Sequence, residues 1–241
     1  MTRLGVGPMV TPGAAPTSVS AAWRVGSWFR RRAARSLAAQ ALDLHVVGLE
    51  HLPADGPAIL VARHYHHLYD AVAIVATVPR DVHILVALDW LGAGARLRLM
   101  RWLTRAARWP GVWRSGPAWR LNREGYRQSL RLLSEGRLLL VFPEGYPSID
   151  PAGSRKSDAE AFLPFDTGFL GLAERARGQV PIVPVGLGYA VRPTGGWTVW
   201  LRFGQAMQFD AGAPAQRRAR LAAVEARVRQ LSMPPASGPG A

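Results

Sequence analysis

The 241 residues suffice for one sizeable folded domain, and 49% hydrophobic against 19% charged residues excludes global disorder. The formal net charge of +14 is almost entirely arginine, since Lys156 is the sole lysine; it points to polyanions, either nucleic acid or anionic lipid headgroups, although an arginine-favouring codon usage would give the same balance. The absence of cysteine excludes disulfides, thiolate metal sites and a cysteine nucleophile.

In chain order, residues 1–18 are rich in Gly, Pro, Thr and Val without periodicity and are expected to stay unpacked, as is the Pro/Gly/Ser/Ala tail 233–241. Residues 19–43 read as a basic helix with Trp23, Trp28 and Phe29 near its start. Segments 44–49 and 58–62 read as strands around the turn-forming Pro53-Ala54-Asp55-Gly56-Pro57, followed by a helix over 70–78 and a buried strand over 83–88. Over 97–109 the spacing predicts a helix. Arg98, Arg101, Arg105 and Arg108 gather on one side, opposite Leu99, Met100, Leu103, Ala106 and Ala107, with Trp102 and Trp109 at the border. That division suits a membrane interface and equally an ordinary solvated surface helix.

Asn122 is expected to cap a helix running to Ser134 and stopped by Gly136. A strand over 138–142 leads into Pro143-Glu144-Gly145, and a polar loop, 146–161, is expected to be mobile. A helix over 167–177, strands over 182–185 and 197–203, and a helix over 215–231 complete the chain. In the last helix Leu221, Val224, Val228 and Leu231 form a core stripe and Glu225 pairs with Arg229. The longest apolar runs, 71–78 and 180–191, fall short of the roughly 20 residues a membrane span needs. Strands alternating with helices predict a single α/β domain over 44–232, with a mostly parallel mixed sheet and functional loops at strand C-terminal ends.

Two clusters could carry chemistry. His64, His66, His67 and Asp70 follow a predicted strand directly. They fit a general base oriented by a carboxylate, a metal site, or simply a capped turn with partly exposed histidines. Glu144, between Pro143 and Gly145 at the end of another strand, is expected to be held rigidly, because Gly145 lets the backbone leave at an angle few residues adopt.

Taken together and in order, these segments resemble the glycerolipid acyltransferase family, which includes the lysophosphatidic acid acyltransferases. Val47-Gly48-Leu49-Glu50-His51-Leu52-Pro53 and Ala58 through His64 match the approach to the family's first motif, with Asp70 as its acid. Phe142-Pro143-Glu144-Gly145 is the third motif unaltered, and Ile182-Val183-Pro184-Val185 fits the fourth. Phe165-Asp166-Thr167-Gly168 and Phe203-Gly204 match later landmarks, so the likeness spans about residues 44–210. Two departures stand out. The step from His64 to Asp70 is one residue longer than usual, to be absorbed as a bulge or a shifted helix start. The phosphate-binding arginine of the second motif is not fixed: Arg114, Arg120 and Arg123 all fit.

The resemblance implies a glycerol-3-phosphate acyltransferase-like fold and O-acyl transfer from acyl-CoA or acyl carrier protein to the hydroxyl of a lysophospholipid such as lysophosphatidic acid. It makes His64 the base, preferred over His66 and then His67, and Asp70 its orienter. Phe142, Pro143, Glu144 and Gly145 would place the acceptor, and Arg114 or Arg120 would bind its phosphate. It requires no metal or bound cofactor, and it places the protein peripherally at the inner, cytoplasmic face of the membrane. A non-phosphate acceptor, such as a lyso-ornithine lipid or glycolipid, is the alternative. A His/Asp metallohydrolase would leave residues 142–145 unassigned. No helix-turn-helix, zinc or aromatic-basic strand signature supports nucleic-acid binding.

Overall fold

The computed structural model describes residues 21–92, 94–114, 119–151, 153–176, 180–209 and 214–233. The terminal stretches expected to be unpacked lie outside these, apart from Met233.

Strand β2 (Ala58–Ala62) is buried at every position, and so is β6 (Leu138–Val141). Strands apolar on both faces must be covered on both, and their side chains divide by the two-residue period of the pleat. Ala58, Leu60 and Ala62 point into one core, together with Val72, Ala73 and Ile74 from α2 (Tyr69–Thr77). Ala38 from α1 (Ala21–Ala41) joins that side, so the basic N-terminal helix packs on the domain rather than standing off it. Ile59 and Val61 point into the second core. There they meet Phe169, Leu170 and Leu172 of α5 (Gly168–Arg175) and Val224 and Val228 of α6 (Pro214–Ser232). The result is helix, sheet, helix in three layers.

Among the described residues the main sheet has six strands in the order β1-β8-β7-β2-β6-β3, where β1 is Leu42–Val47, β3 Val82–Ile84, β7 Ile182–Val191 and β8 Trp197–Phe203. All pairings are parallel except β7 with β8, a hairpin, which gives the mostly parallel mixed sheet the sequence predicts. Gly186 lets α6 cross β7 closely: a Cβ there would lie 2.3 Å from the Leu231 carbonyl carbon.

Two local expectations are corrected. The single strand over 83–88 is two: β3 pairs with β6, whereas β4 (Val86–Ala87) turns away to pair with β5 (Gly111–Val112). Leu85, at the break, still donates its N–H to Leu140. Asn122 is not a helix cap, because α4 (Trp119–Ser134) begins three residues earlier. Its amide instead grips both the N–H and the C=O of Trp113, at 2.6 and 2.7 Å, tying α4 to the segment that carries Arg114. The helix expected over 97–109 is α3 (Ala95–Ala106), ended by Arg108 at a φ of 53°.

Candidate active site

The register of the two central strands assembles the site. β2 and β6 run parallel with Val61 beside Val141, so the segments leaving their C-terminal ends, 62–64 and 142–144, emerge side by side. The His64 ring stacks on the Phe142 ring, centroids 4.3 Å apart. Its Nδ1 lies 2.9 Å from Asp70 Oδ2, near the start of α2. The Asp70 side chain is fully buried, whereas that of His64 is 15% exposed.

Asp70 is thoroughly satisfied. Oδ2 accepts the His64 ring N–H and the backbone N–H groups of Tyr65 and His66, at 2.7 and 3.0 Å, while Oδ1 accepts the Tyr189 hydroxyl at 2.6 Å. Burial, then the Asp70 charge, hold the Tyr189 phenol well above its ordinary pKa, so it stays a donor. This wrapping absorbs the long step between His64 and Asp70: the chain folds around the carboxylate, and Asp70 donates its own N–H back to His66 at 3.4 Å. With Nδ1 bonded to an acceptor-only carboxylate, the His64 proton sits on Nδ1. Nε2 is left as a lone pair at the accessible edge, and among the described residues it has no hydrogen-bond partner. A buried aspartate orienting a partly exposed imidazole is the arrangement of a general base.

Residues 43–188 fit the family model described as Acyltransferase. The chain belongs to the acyltransferase family. Its fold is similar to that of a 1-acyl-sn-glycerophosphate (LPA) acyltransferase, PlsC, from Thermotoga maritima. The TM-score is 0.56 and the identity 22%, over 88% of this chain and 84% of that one. A comparison with curated proteins found no match.

Within this acyltransferase the three histidines do different things. His66 Nδ1 accepts the N–H groups of Leu68 and Tyr69, at 3.2 and 3.3 Å, and so caps the start of α2. Burial first, then the neighbouring His67, lower its pKa, which keeps that lone pair available. His67 is exposed and reaches the Ile149 carbonyl at 3.3 Å. Among the described residues no three His, Asp or Glu groups converge as a metal-ligating set.

Glu144, expected to help place the acceptor, is turned into the protein. Its side chain is enclosed, Oε1 accepting the His64 N–H at 2.8 Å and Oε2 the Leu163 N–H at 3.0 Å. Gly145, at a φ of 72°, makes the turn required of it. Arg114 does lie at this turn, but its Nε is paired with Asp89 at 3.0 Å and its Nη1 donates to the Gly145 carbonyl. The Arg114 guanidinium is thus held by a carboxylate and a carbonyl, and it also lies over the Tyr146 ring. The Arg120 side chain lies outside the described residues, and Arg123 is exposed on α4.

Three residues of the site carry no signal that sequence reasoning caught. Tyr189 arrives from the far end of β7. Arg63 is fully buried, donating to the Leu187 and Ala159 carbonyls and to Glu160, its guanidinium against the Tyr65 and Phe162 rings. Lys156 comes from the loop expected to be mobile and meets Glu144 at 2.6 Å. The sole lysine in an arginine-rich chain was the one available hint.

Proposed function

We propose that the protein transfers a fatty acyl group from an acyl thioester, acyl-CoA or acyl carrier protein, to the hydroxyl of a lysophospholipid such as lysophosphatidic acid. The observation that carries this is the His64–Asp70 pair, its free Nε2 at the accessible edge of the site in a chain of the acyltransferase family. Nε2 takes the proton of the acceptor hydroxyl as its oxygen attacks the thioester carbonyl carbon. The tetrahedral adduct then expels the thiolate, which recovers the proton from His64. Asp70 fixes the tautomer and stabilises the imidazolium, and such a base is worth about 10²- to 10⁴-fold in rate. This chemistry needs no metal or bound cofactor.

The lipid would be met at the inner, cytoplasmic face of the membrane. No helix among the described residues is long and apolar enough to cross a bilayer. Instead, α3 and the 3₁₀ turn before it expose Trp90, Leu99, Trp102 and Leu103 beside the exposed Arg98, Arg101 and Arg105, and α1 exposes Val25, Trp28 and Phe29 among arginines. Apolar and cationic side chains presented together suit an anionic leaflet.

A second acceptor class has its own support. Because Arg114, of the two arginines expected to bind phosphate the one whose side chain is described, is already paired with Asp89, the second reading is a hydroxyl lipid without a phosphate monoester, such as a lyso-ornithine lipid or a glycolipid. Purified protein incubated with labelled acyl-CoA or acyl carrier protein and a panel of lyso-lipids tests both. His64→Ala should abolish transfer and Asp70→Asn lower it about 10³- to 10⁴-fold, through the wrong tautomer, with the fold intact by circular dichroism. Full activity in either variant would sink the mechanism.

A further inference from the structure

The peptide of His64 is held at both ends. Its N–H is bound by Glu144 Oε1 at 2.8 Å, and its C=O accepts the Ser148 N–H at 3.2 Å and the Lys156 ammonium at 2.6 Å. The same ammonium lies 2.6 Å from Glu144 Oε2, and both side chains are wholly removed from solvent. Lys156 is 92 residues from His64 in sequence and reaches it from the loop after the Phe142–Gly145 turn. The loop is built to aim it: Ser154 Oγ accepts the Lys156 N–H at 3.1 Å and donates to the Pro147 carbonyl at 2.6 Å. Arg63 fastens the next turn of the loop through the Ala159 carbonyl and Glu160.

A buried charge pair is a poor device for stability, because desolvating two ions offsets most of their attraction. What it supplies here is direction. A carboxylate and an ammonium clamp the two polar atoms of one peptide, and that peptide carries the base. Burial of the ammonium, only partly offset by Glu144, lowers the Lys156 pKa, so the clamp depends on that carboxylate to remain ionised.

We propose that Lys156 is a positioning residue, which with Glu144 locks the His64 backbone so that Nε2 is presented to the acceptor hydroxyl, and that the segment 153–163 is thereby a working part of the site. The role rests on His64 being the base. It is distinct from substrate binding, since the Lys156 ammonium is closed off from any ligand.

Removing the ammonium should leave substrate affinity alone and lower turnover. Lys156→Met is expected to reduce kcat by about 10²-fold, the cost of a small misplacement of a reacting group, with KM changed little. Lys156→Met combined with Glu144→Gln removes both charges, so it separates misplacement of His64 from the burden of a lone buried carboxylate. It should fold as well as the parent and still be slow. Because the chain has no cysteine, Lys156→Cys can be alkylated with bromoethylamine before refolding, which rebuilds an ammonium at that position alone. Recovery of most of the lost kcat is expected.

A readout that needs no substrate separates this inference from the proposed activity. The His64 Nδ1–H bonded to Asp70 should give a downfield proton resonance, assigned by its loss in His64→Gln. It should broaden or disappear in Lys156→Met and return on aminoethylation. If the parent protein acylates no lipid but this resonance responds as described, the activity fails and the positioning role stands. An unchanged resonance, or full kcat in the well-folded double variant, overturns it.

Discussion

Asp70 accepts four hydrogen bonds with two oxygens, and the donor from furthest away in sequence is the Tyr189 hydroxyl. Tyr189→Phe removes it while keeping the ring that stacks on Tyr65 with centroids 4.5 Å apart. One lobe of a buried carboxylate is then unpaired, which costs about 1–3 kcal/mol. Urea unfolding should register that loss, and kcat should fall by less than in Asp70→Asn, because the His64 Nδ1 bond survives. His66 offers a contrast at the same scale. Its imidazole caps a helix, so His66→Asn, which keeps a side-chain acceptor near the Leu68 and Tyr69 N–H groups, should retain most of the turnover that His64→Ala loses. Steady-state kinetics of the two variants side by side decide the assignment.

At the level of elements, α3 is the clearest test of surface chemistry. Its apolar side does not face the core: Leu99 is 58% and Trp102 65% exposed, and only Thr104 is buried along the helix. Trp102→Ala with Leu99→Ser should therefore leave thermal stability nearly unchanged. The same pair should weaken binding to phosphatidylglycerol vesicles about tenfold or more in co-sedimentation. Binding by the parent that is unaffected by these changes would remove α3 from the interface. The alternation of Ala58, Leu60 and Ala62 with Ile59 and Val61 was readable in the sequence because a strand buried on both faces is a continuous apolar run. So was the placement of His64 and Glu144 at strand ends. The 146–161 loop was not readable, since Pro, Gly and Ser report local turn chemistry and say nothing of a partner 92 residues away that pins Lys156. Nor was the split of β3 from β4, because an unbroken apolar run does not reveal that its two ends pair in different sheets.

For the whole molecule, acid should act through the edge of the sheet remote from the hairpin. His83 lies on β3, the last strand of that edge, and its side chain is almost wholly buried. Burial pushes its pKa down to about 4; the Asp81 charge and a hydrogen bond with the Arg108 backbone oppose this, while the Arg108 and Arg137 charges reinforce it. In the unfolded chain the imidazole titrates near its ordinary 6.5. Between those values the unfolded state binds the proton and the folded state does not, so stability rises with pH across the window and falls as pH drops from 6.5 towards 4. The shift corresponds to about 3 kcal/mol at the acid end. His83→Phe replaces the ring with one that cannot titrate. Urea unfolding at pH 7 and pH 4.5 will show a common loss from protonation of paired carboxylates in both proteins. The parent should lose about 2–3 kcal/mol more than the variant, whatever repacking costs the variant at pH 7. Equal losses would mean that His83 takes up its proton without strain, and that the buried edge of β3 is not where this fold yields to acid.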